Sequence, residues 1–247
     1  MRAVRLHAFG SAVRCEEVED PVPGPGQVRI AVRAAGVHLV DVLIGHGRAE
    51  WVPLPELPTV PGSEVAGVVD AVGPGVDPAW LGERVVTQLG LAGGGYAELA
   101  VREVGAVHVI PAGLDFPAAV AVICTGSTAL GVVDAAAPEP DDVVVVTAAA
   151  GGVGTMLVQA ASRAGALVVG LVGCGEKRRA VLRAGAAIAV DYLEDGWQRR
   201  VVDRLGGREV TAVLTASAVS WAGARSTCSR RAVGWSCSAR RRASWCA

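Results

Sequence analysis

Apolar and polar residues alternate over Gln27–Val32 (QVRIAV), directly after the turn-forming PVPGPG. A period of two marks a half-buried strand. Glu64–Val72 (EVAGVVDAV) is a second such run, closed by Gly73-Pro74-Gly75, and Glu83–Val86, Gly95–Val101 and Val107–Pro111 read as further short strands. Short strands between Gly/Pro turns predict a small antiparallel, barrel-type domain over residues 1–115.

The pattern changes after that. Phe116–Val132 is small and apolar throughout and predicts a buried helix. Asp142–Thr147 (DVVVVT) is a continuous β-branched run, as expected of a parallel strand covered on both faces. Helix Thr155–Ala164, strand Leu167–Val172, helix Glu176–Arg183, strand Ala187–Val190, helix Gly196–Leu205 and strand Val210–Leu214 follow in turn. Such alternation predicts βαβ units and the start of a doubly wound parallel sheet over 116–214.

Composition narrows the classes. The chain has 247 residues, is 51% hydrophobic and carries a formal net charge of −1, so neither nucleic-acid binding nor disorder is expected. Charges or glycines interrupt every long apolar stretch, and MRAVRLHAFG has no apolar signal core, so neither a membrane span nor secretion is expected. The six cysteines form no CxxC pair, which argues against a zinc knuckle or a disulfide framework and fits a cytoplasmic protein.

The small net charge conceals a split. From Ala216 to Ala247 there are six arginines and no acid, leaving 17 basic against 24 acidic residues, a net of −7, before that point. The same stretch holds three of the six Trp and three of the six Cys, and shows neither periodicity nor a clear strand.

The chemistry is expected at the first strand–helix turn. Aligned to G-x-G-x-x-G, the residues are Ala149, Ala150, Gly151, Gly152, Val153 and Gly154, with Ala in place of the first glycine. Gly151 would let backbone approach a pyrophosphate, Gly154 would allow close helix–strand packing, and the phosphates would lie over the helix N-terminus. NAD sites place Asp or Glu at the end of the second strand to bind the ribose 2′-hydroxyl. Here Gly173-Cys174-Gly175 stands there, with no acid until Glu176 and then Lys177, which favours NADPH.

The chain resembles the zinc-independent quinone oxidoreductase branch of the medium-chain dehydrogenase/reductase superfamily. The resemblance runs from Met1 to about Leu214, through AAGVHLVDVLIGHG (34–47), PGSEVAGVVDAVGPGV (61–76), GGYAELAV (94–101), TGSTAL (125–130), AAAGGVG (148–154) and AVDY (189–192). It implies a GroES-like catalytic domain followed by a Rossmann domain, with NADPH as cofactor and a quinone or other conjugated carbonyl as small-molecule substrate. Thr128 would then lie near the nicotinamide, residues 149–154 under the pyrophosphate, and Lys177 with Tyr192 at the 2′-phosphate. His38, Asp41 and Ser63 would line the substrate cleft.

Zinc-dependent relatives draw ligands from a Cys and from the His of G-H-E, where this chain has His38 and Ser63. Serine is no ordinary zinc ligand, and no metal is expected, although His38, Asp41 and His46 are conceivable by type. Quinone reductases often carry Asn at His38 and Tyr at Leu43, so a related enoyl reductase is the alternative. Family members often form homodimers through the edge of the nucleotide-domain sheet.

That edge, with strands five and six, is expected to be missing here. After Leu214 the family continues with a D-G-V-G-G turn, whereas this chain reads TASAVSW. Codons for D-G-V-G-G-E-L read one base later yield T-A-S-A-V-S-W. A single Lys and no Asn fit a GC-rich gene. Residues 215–247 are therefore expected to be an out-of-frame basic tail, and the product is expected to fold poorly and to bind NADPH weakly if at all; a non-catalytic product is a third reading.

Overall fold

A computed structural model describes residues 1–49, 52–90, 93–215 and 228–234, the last of these as backbone. By compactness the chain divides into Met1–Cys124 and Thr125–Ala247.

The first unit opens with a hairpin-like pair, β1 (Arg2–Arg5) and β2 (Arg14–Glu17), which sequence periodicity does not reveal. Its main sheet holds β3 (Gln27–Ala35), β4 (Glu64–Val72), β5 (Arg84–Gln88), β6 (Leu99–Glu103) and β7 (Val107–Val109). The order is β6-β3-β4-β5-β7, antiparallel throughout. Val28, Ile30, Val65, Val69 and Val85 project into one core, the outcome of the period-two pattern. Between β3 and β4 lies a short helix, α1 (Leu39–Gly45), that the sequence reading did not anticipate. The stretch expected as strand from Gly95 becomes regular only at Leu99, Ala97 making a single bridge to Ala3.

Helix α2 (Phe116–Ala136) follows, and the division between the units falls within it. Its 21 residues run unbroken through Gly126 and Gly131, so by length and composition alone it could cross a membrane, contrary to expectation. Only 22% of its apolar window is buried, so it is not the buried helix its composition suggested. The reason is that it buries a stripe, with Ala119 and Val120 in one cluster and Ala129, Val132 and Ala136 in another, and leaves Leu130 63% exposed.

The second unit alternates β8 (Val143–Val146), α3 (Gly152–Arg163), β9 (Leu167–Val172), α4 (Arg178–Arg183), β10 (Ile188–Asp191), α5 (Trp197–Leu205) and β11 (Val210–Thr215). The sheet is parallel, in the order β10-β9-β8-β11-β12. Alternate residues feed opposite faces: Val144 and Val146 join Leu157, Val158 and Ala161 of α3, while Val143 and Val145 join Val201 and Leu205 of α5. Apolar side chains on both faces require helices on both faces, and the chain supplies them.

The final strand corrects the expectation for the tail. β12 (Cys228–Gly234) pairs in parallel with β11, from Val210↔Cys228 to Thr215↔Gly234, so β11 is not left as a bare edge. Backbone hydrogen bonding needs no apolar periodicity, which is why the sequence pattern did not show this strand. Residues 216–227 and 235–247 lie outside the described residues.

Candidate functional site

In the second unit the turn after β8 carries the expected glycines. Ala148 adopts a left-handed conformation (φ 47°), a demand that falls one residue before the alanine aligned with the first motif glycine. Gly151 caps α3, which starts at Gly152 rather than at Thr155. The helix can begin early because first-turn N–H groups need no intrahelical acceptor, and because Gly154 presses against the chain where a Cβ would stand 2.9 Å from both the Ala148 carbonyl carbon and the Ala149 Cα. Ala149 and Gly154 are buried, Ala150 and Val153 half-buried, and Gly151 and Gly152 exposed, so the outward N–H groups of the first turn can face an anion. A Cβ on Gly152 would lie 3.1 Å from Thr125 Cγ2, which brings the start of the TGSTAL segment to this turn, with Thr128 three residues further along α2.

At the carboxyl ends of β8 and β11 the Thr147 hydroxyl donates to that of Thr215 (3.0 Å), and Thr147 N–H donates to Leu214 O (3.0 Å). Chain order reverses between these strands, the crevice where open α/β sheets bind ligands. Both threonines were missed in sequence, since a strand-end Thr has no distinctive spacing.

Gly173 directly follows β9, and an added Cβ there would stand 2.8 Å from the Tyr192 hydroxyl. Tyr192 is thus brought to the expected 2′-phosphate end. Lys177 ends a 3₁₀ turn, Gly175–Lys177, and is exposed. Arg178 is tied to Glu194, which also pairs with Arg200 at 2.9 Å.

In the first unit a polar cluster forms around α1. His38 is its N-cap residue, and Asp41 Oδ2 accepts the His38 N–H (2.8 Å) and the Tyr96 hydroxyl (3.0 Å). Burial, and after it the Asp41 charge, pushes the Tyr96 hydroxyl well above its usual range. His38 Nε2 stands 2.7 Å from Glu64 Oε1. The approach is off-axis, so Nε2 and Glu64 Oε2 are both buried without a well-directed hydrogen bond. Glu64 is 1% exposed, and burial pushes its carboxyl up, opposed by His38 and the Cys124 backbone. The side-chain donor atoms of His38, Glu64 and Cys124 lie within 4.8 Å of one another.

Of the expected cleft residues, His38 and Asp41 come together. Ser63 stands just before β4, with its carbonyl accepting Leu89 N–H (2.7 Å). His46 contacts Val42 O through Nδ1 (2.8 Å) and does not join His38 as a ligand. Glu64, Tyr96 and Cys124 were not anticipated. The one available signal was an acid opening the apolar run EVAGVV, which needs either a partner or a raised pKa.

Comparison with known proteins places this geometry. Residues 24–112 match the alcohol dehydrogenase GroES-like domain, and residues 152–228 match the family described as zinc-binding dehydrogenase. A crystal structure of an NAD-dependent alcohol dehydrogenase is 32% identical, with a TM-score of 0.82 over 90% of this chain and 72% of that one. The chain belongs to the medium-chain dehydrogenase/reductase superfamily. The quinone oxidoreductase of Sus scrofa is 34% identical over 218 residues, covering 87% of this chain and 65% of the relative. The Escherichia coli quinone oxidoreductase complexed with NADPH is 28% identical, with a TM-score of 0.76 over 87% of this chain and 65% of that one. The chain thus spans somewhat less than two thirds of the length of the curated relatives it matches.

The name of the second family implies zinc, and the cluster at His38 tests the fit. Two ligands at about 2.0–2.1 Å on tetrahedral zinc lie roughly 3.3 Å apart, so the 2.7 Å contact of His38 with Glu64 closes the pair upon itself. Burial, and after it the charges of Glu64 and Asp41, hold the Cys124 thiol above its usual range. With Ser63 where zinc-dependent relatives carry a ligating His, the donors gathered here are His38, Glu64 and Cys124.

Proposed function

We propose that this chain is an NADPH-dependent oxidoreductase passing hydride to a quinone or similar conjugated carbonyl without zinc. The observation that carries the reading is the β8–α3 turn, where Gly154 packs on Ala148 and the first turn of α3 is left open to phosphate. NADPH is preferred to NADH because Gly173, directly after β9, lies beside Tyr192, with exposed Lys177 and no carboxylate at the ribose position. The cofactor, when bound, supplies the hydride. The protein residues bind it, orient the acceptor and exclude water. Exposed Val37, Leu39 and Val42 around His38 suit an apolar acceptor.

The residues from Thr215 onward belong to the same proposal, as family sequence read one base out of frame. Sequencing the gene through the Leu214 codon tests this, and an intact frame with no shifted continuation behind it would sink it.

The functional test is fluorescence titration with NADPH and NADH, followed by NADPH oxidation with 1,4-benzoquinone and with a trans-2-enoyl thioester. Micromolar NADPH binding with quinone turnover would show that the chain keeps this activity despite its out-of-frame end. Turnover confined to the thioester would instead support the enoyl reductase reading, and absence of binding would support a non-catalytic product.

A further inference from the structure

In the second unit, the arginine next to Lys177 stands over the turn that leaves β9. Arg178 opens α4, and its side chain is 36% exposed. A Cβ on exposed Gly175 would stand 3.9 Å from Arg178 Cζ and 4.0 Å from Nη1, so the guanidinium lies against bare backbone there. The Tyr192 hydroxyl reaches the same turn at Gly173. Arg178 Nη2 pairs with Glu194 Oε1, yet Glu194 has a sufficient partner without it. Arg200 Nη2 meets Glu194 Oε2 at 2.9 Å, and the Arg200 guanidinium also donates to the carbonyls of Asp195 (3.0 Å) and Glu194 (3.4 Å). Two guanidinium groups on one carboxylate leave a positive charge uncompensated. The adjoining sequence adds Lys177 and Arg179 against the single acid Glu176, all three exposed. Arg178 Nε is buried without a hydrogen-bond partner, so Glu194 engages the group through one nitrogen and leaves its fork unfilled. A phosphate matches that fork through two parallel N–H···O bonds, which a carboxylate shared with Arg200 does not supply.

We propose that Arg178, held over Gly175 by Glu194, binds the 2′-phosphate and sets the preference for the phosphorylated dinucleotide; this rests on the NADPH reading under Proposed function. The ligand class is a ribose phosphate monoester, recognised without any bond being made or broken. Lys177 contributes a flexible point charge, whereas Arg178 contributes directed donors at a place where glycine lets the phosphate come close. Glu194 is a positioning residue in this scheme, because it touches Arg178 and Arg200 only. The sequence motif could not show this, since Glu194 lies 16 residues beyond Arg178.

Two measurements on the full chain test the assignment. In fluorescence titrations, Arg178→Ala is expected to weaken NADPH binding about tenfold and to leave NADH binding unchanged, which also reports that the variant is folded. Arg178→Lys keeps the charge without the fork and should lose about threefold. Glu194→Gln should also lose about threefold, and should add no loss in an Arg178→Ala background, because it acts through Arg178. In ¹H–¹⁵N spectra, millimolar 2′,5′-ADP is expected to shift the Arg178 Nε–H resonance, identified by its absence in Arg178→Lys, whereas 5′-AMP is not. A resonance that answers to both nucleotides equally, or to neither, overturns the contact. If Arg178→Ala keeps the wild-type ratio of NADPH to NADH affinity, the role of Arg178 is overturned while the NADPH reading stands. If the wild-type chain binds NADH as tightly as NADPH, or binds neither, that reading falls and the role of Arg178 falls with it.

Discussion

The Tyr96 hydroxyl donates to Asp41 Oδ2 at 3.0 Å, and the same oxygen accepts the His38 N–H at 2.8 Å. One carboxylate therefore caps α1 and ties it to the segment ahead of β6, 55 residues away in sequence.

Tyr96→Phe should lower unfolding stability by about 1 kcal/mol, the net worth of one hydrogen bond. The raised Tyr96 pKa adds a pH signature. A hydroxyl held neutral in the folded state contributes stability that is complete below its unfolded pKa of about 10 and is lost as pH rises beyond it. Urea unfolding at pH 8 and above pH 10 should show this alkaline loss in wild type and a smaller one in the variant.

Gly36→Ala should disturb the His38–Glu64 pair from outside it. The new Cβ would stand 2.7 Å from the Glu64 Cδ, and the buried side chain has little room to yield. A destabilisation of about 1–3 kcal/mol is expected, measured by thermal unfolding, with changed His38 ring resonances.

The two glycines of the β8–α3 turn should separate stability from binding. Gly154→Ala sets a Cβ 2.9 Å from two backbone carbons and should cost about 1–3 kcal/mol with or without cofactor. Gly151 has an ordinary φ of −77° and its nearest neighbour, Ala148 O, at 3.2 Å. Gly151→Ala should leave stability within about 1 kcal/mol and weaken NADPH binding roughly tenfold or more, by obstructing the backbone approach to pyrophosphate. Calorimetric unfolding and NADPH titration of both variants check the contrast.

Lys177→Ala should weaken NADPH binding roughly tenfold, about 1.4 kcal/mol, and leave NADH unaffected. The lysine is exposed, so the difference should shrink as salt is raised. Equal losses for both dinucleotides would place Lys177 away from the 2′-phosphate.

How much was legible in the sequence varies with the range of the interaction. Leu167–Val172 and Glu64–Val72 were readable to the residue because a strand's apolar run is local and Gly or Pro punctuates it. The β8–α3 turn was readable because glycine spacing encodes backbone approach directly. α1 was not, because its seven residues are anchored by Asp41, whose second partner, Tyr96, is remote in sequence.

Local patterning by itself therefore determined the two kinds of sheet, the order of their strands along the chain, the dinucleotide turn and the superfamily resemblance. Only the tertiary structure decided which polar residues meet: His38 with Glu64 rather than His46, Tyr96 with Asp41, Tyr192 with Gly173, and β12 beside β11 despite a sequence without strand periodicity. The physical reason is that periodicity reports burial and backbone conformation residue by residue. Side-chain pairing and strand adjacency depend on segments tens of residues apart, which become neighbours only when the apolar faces close.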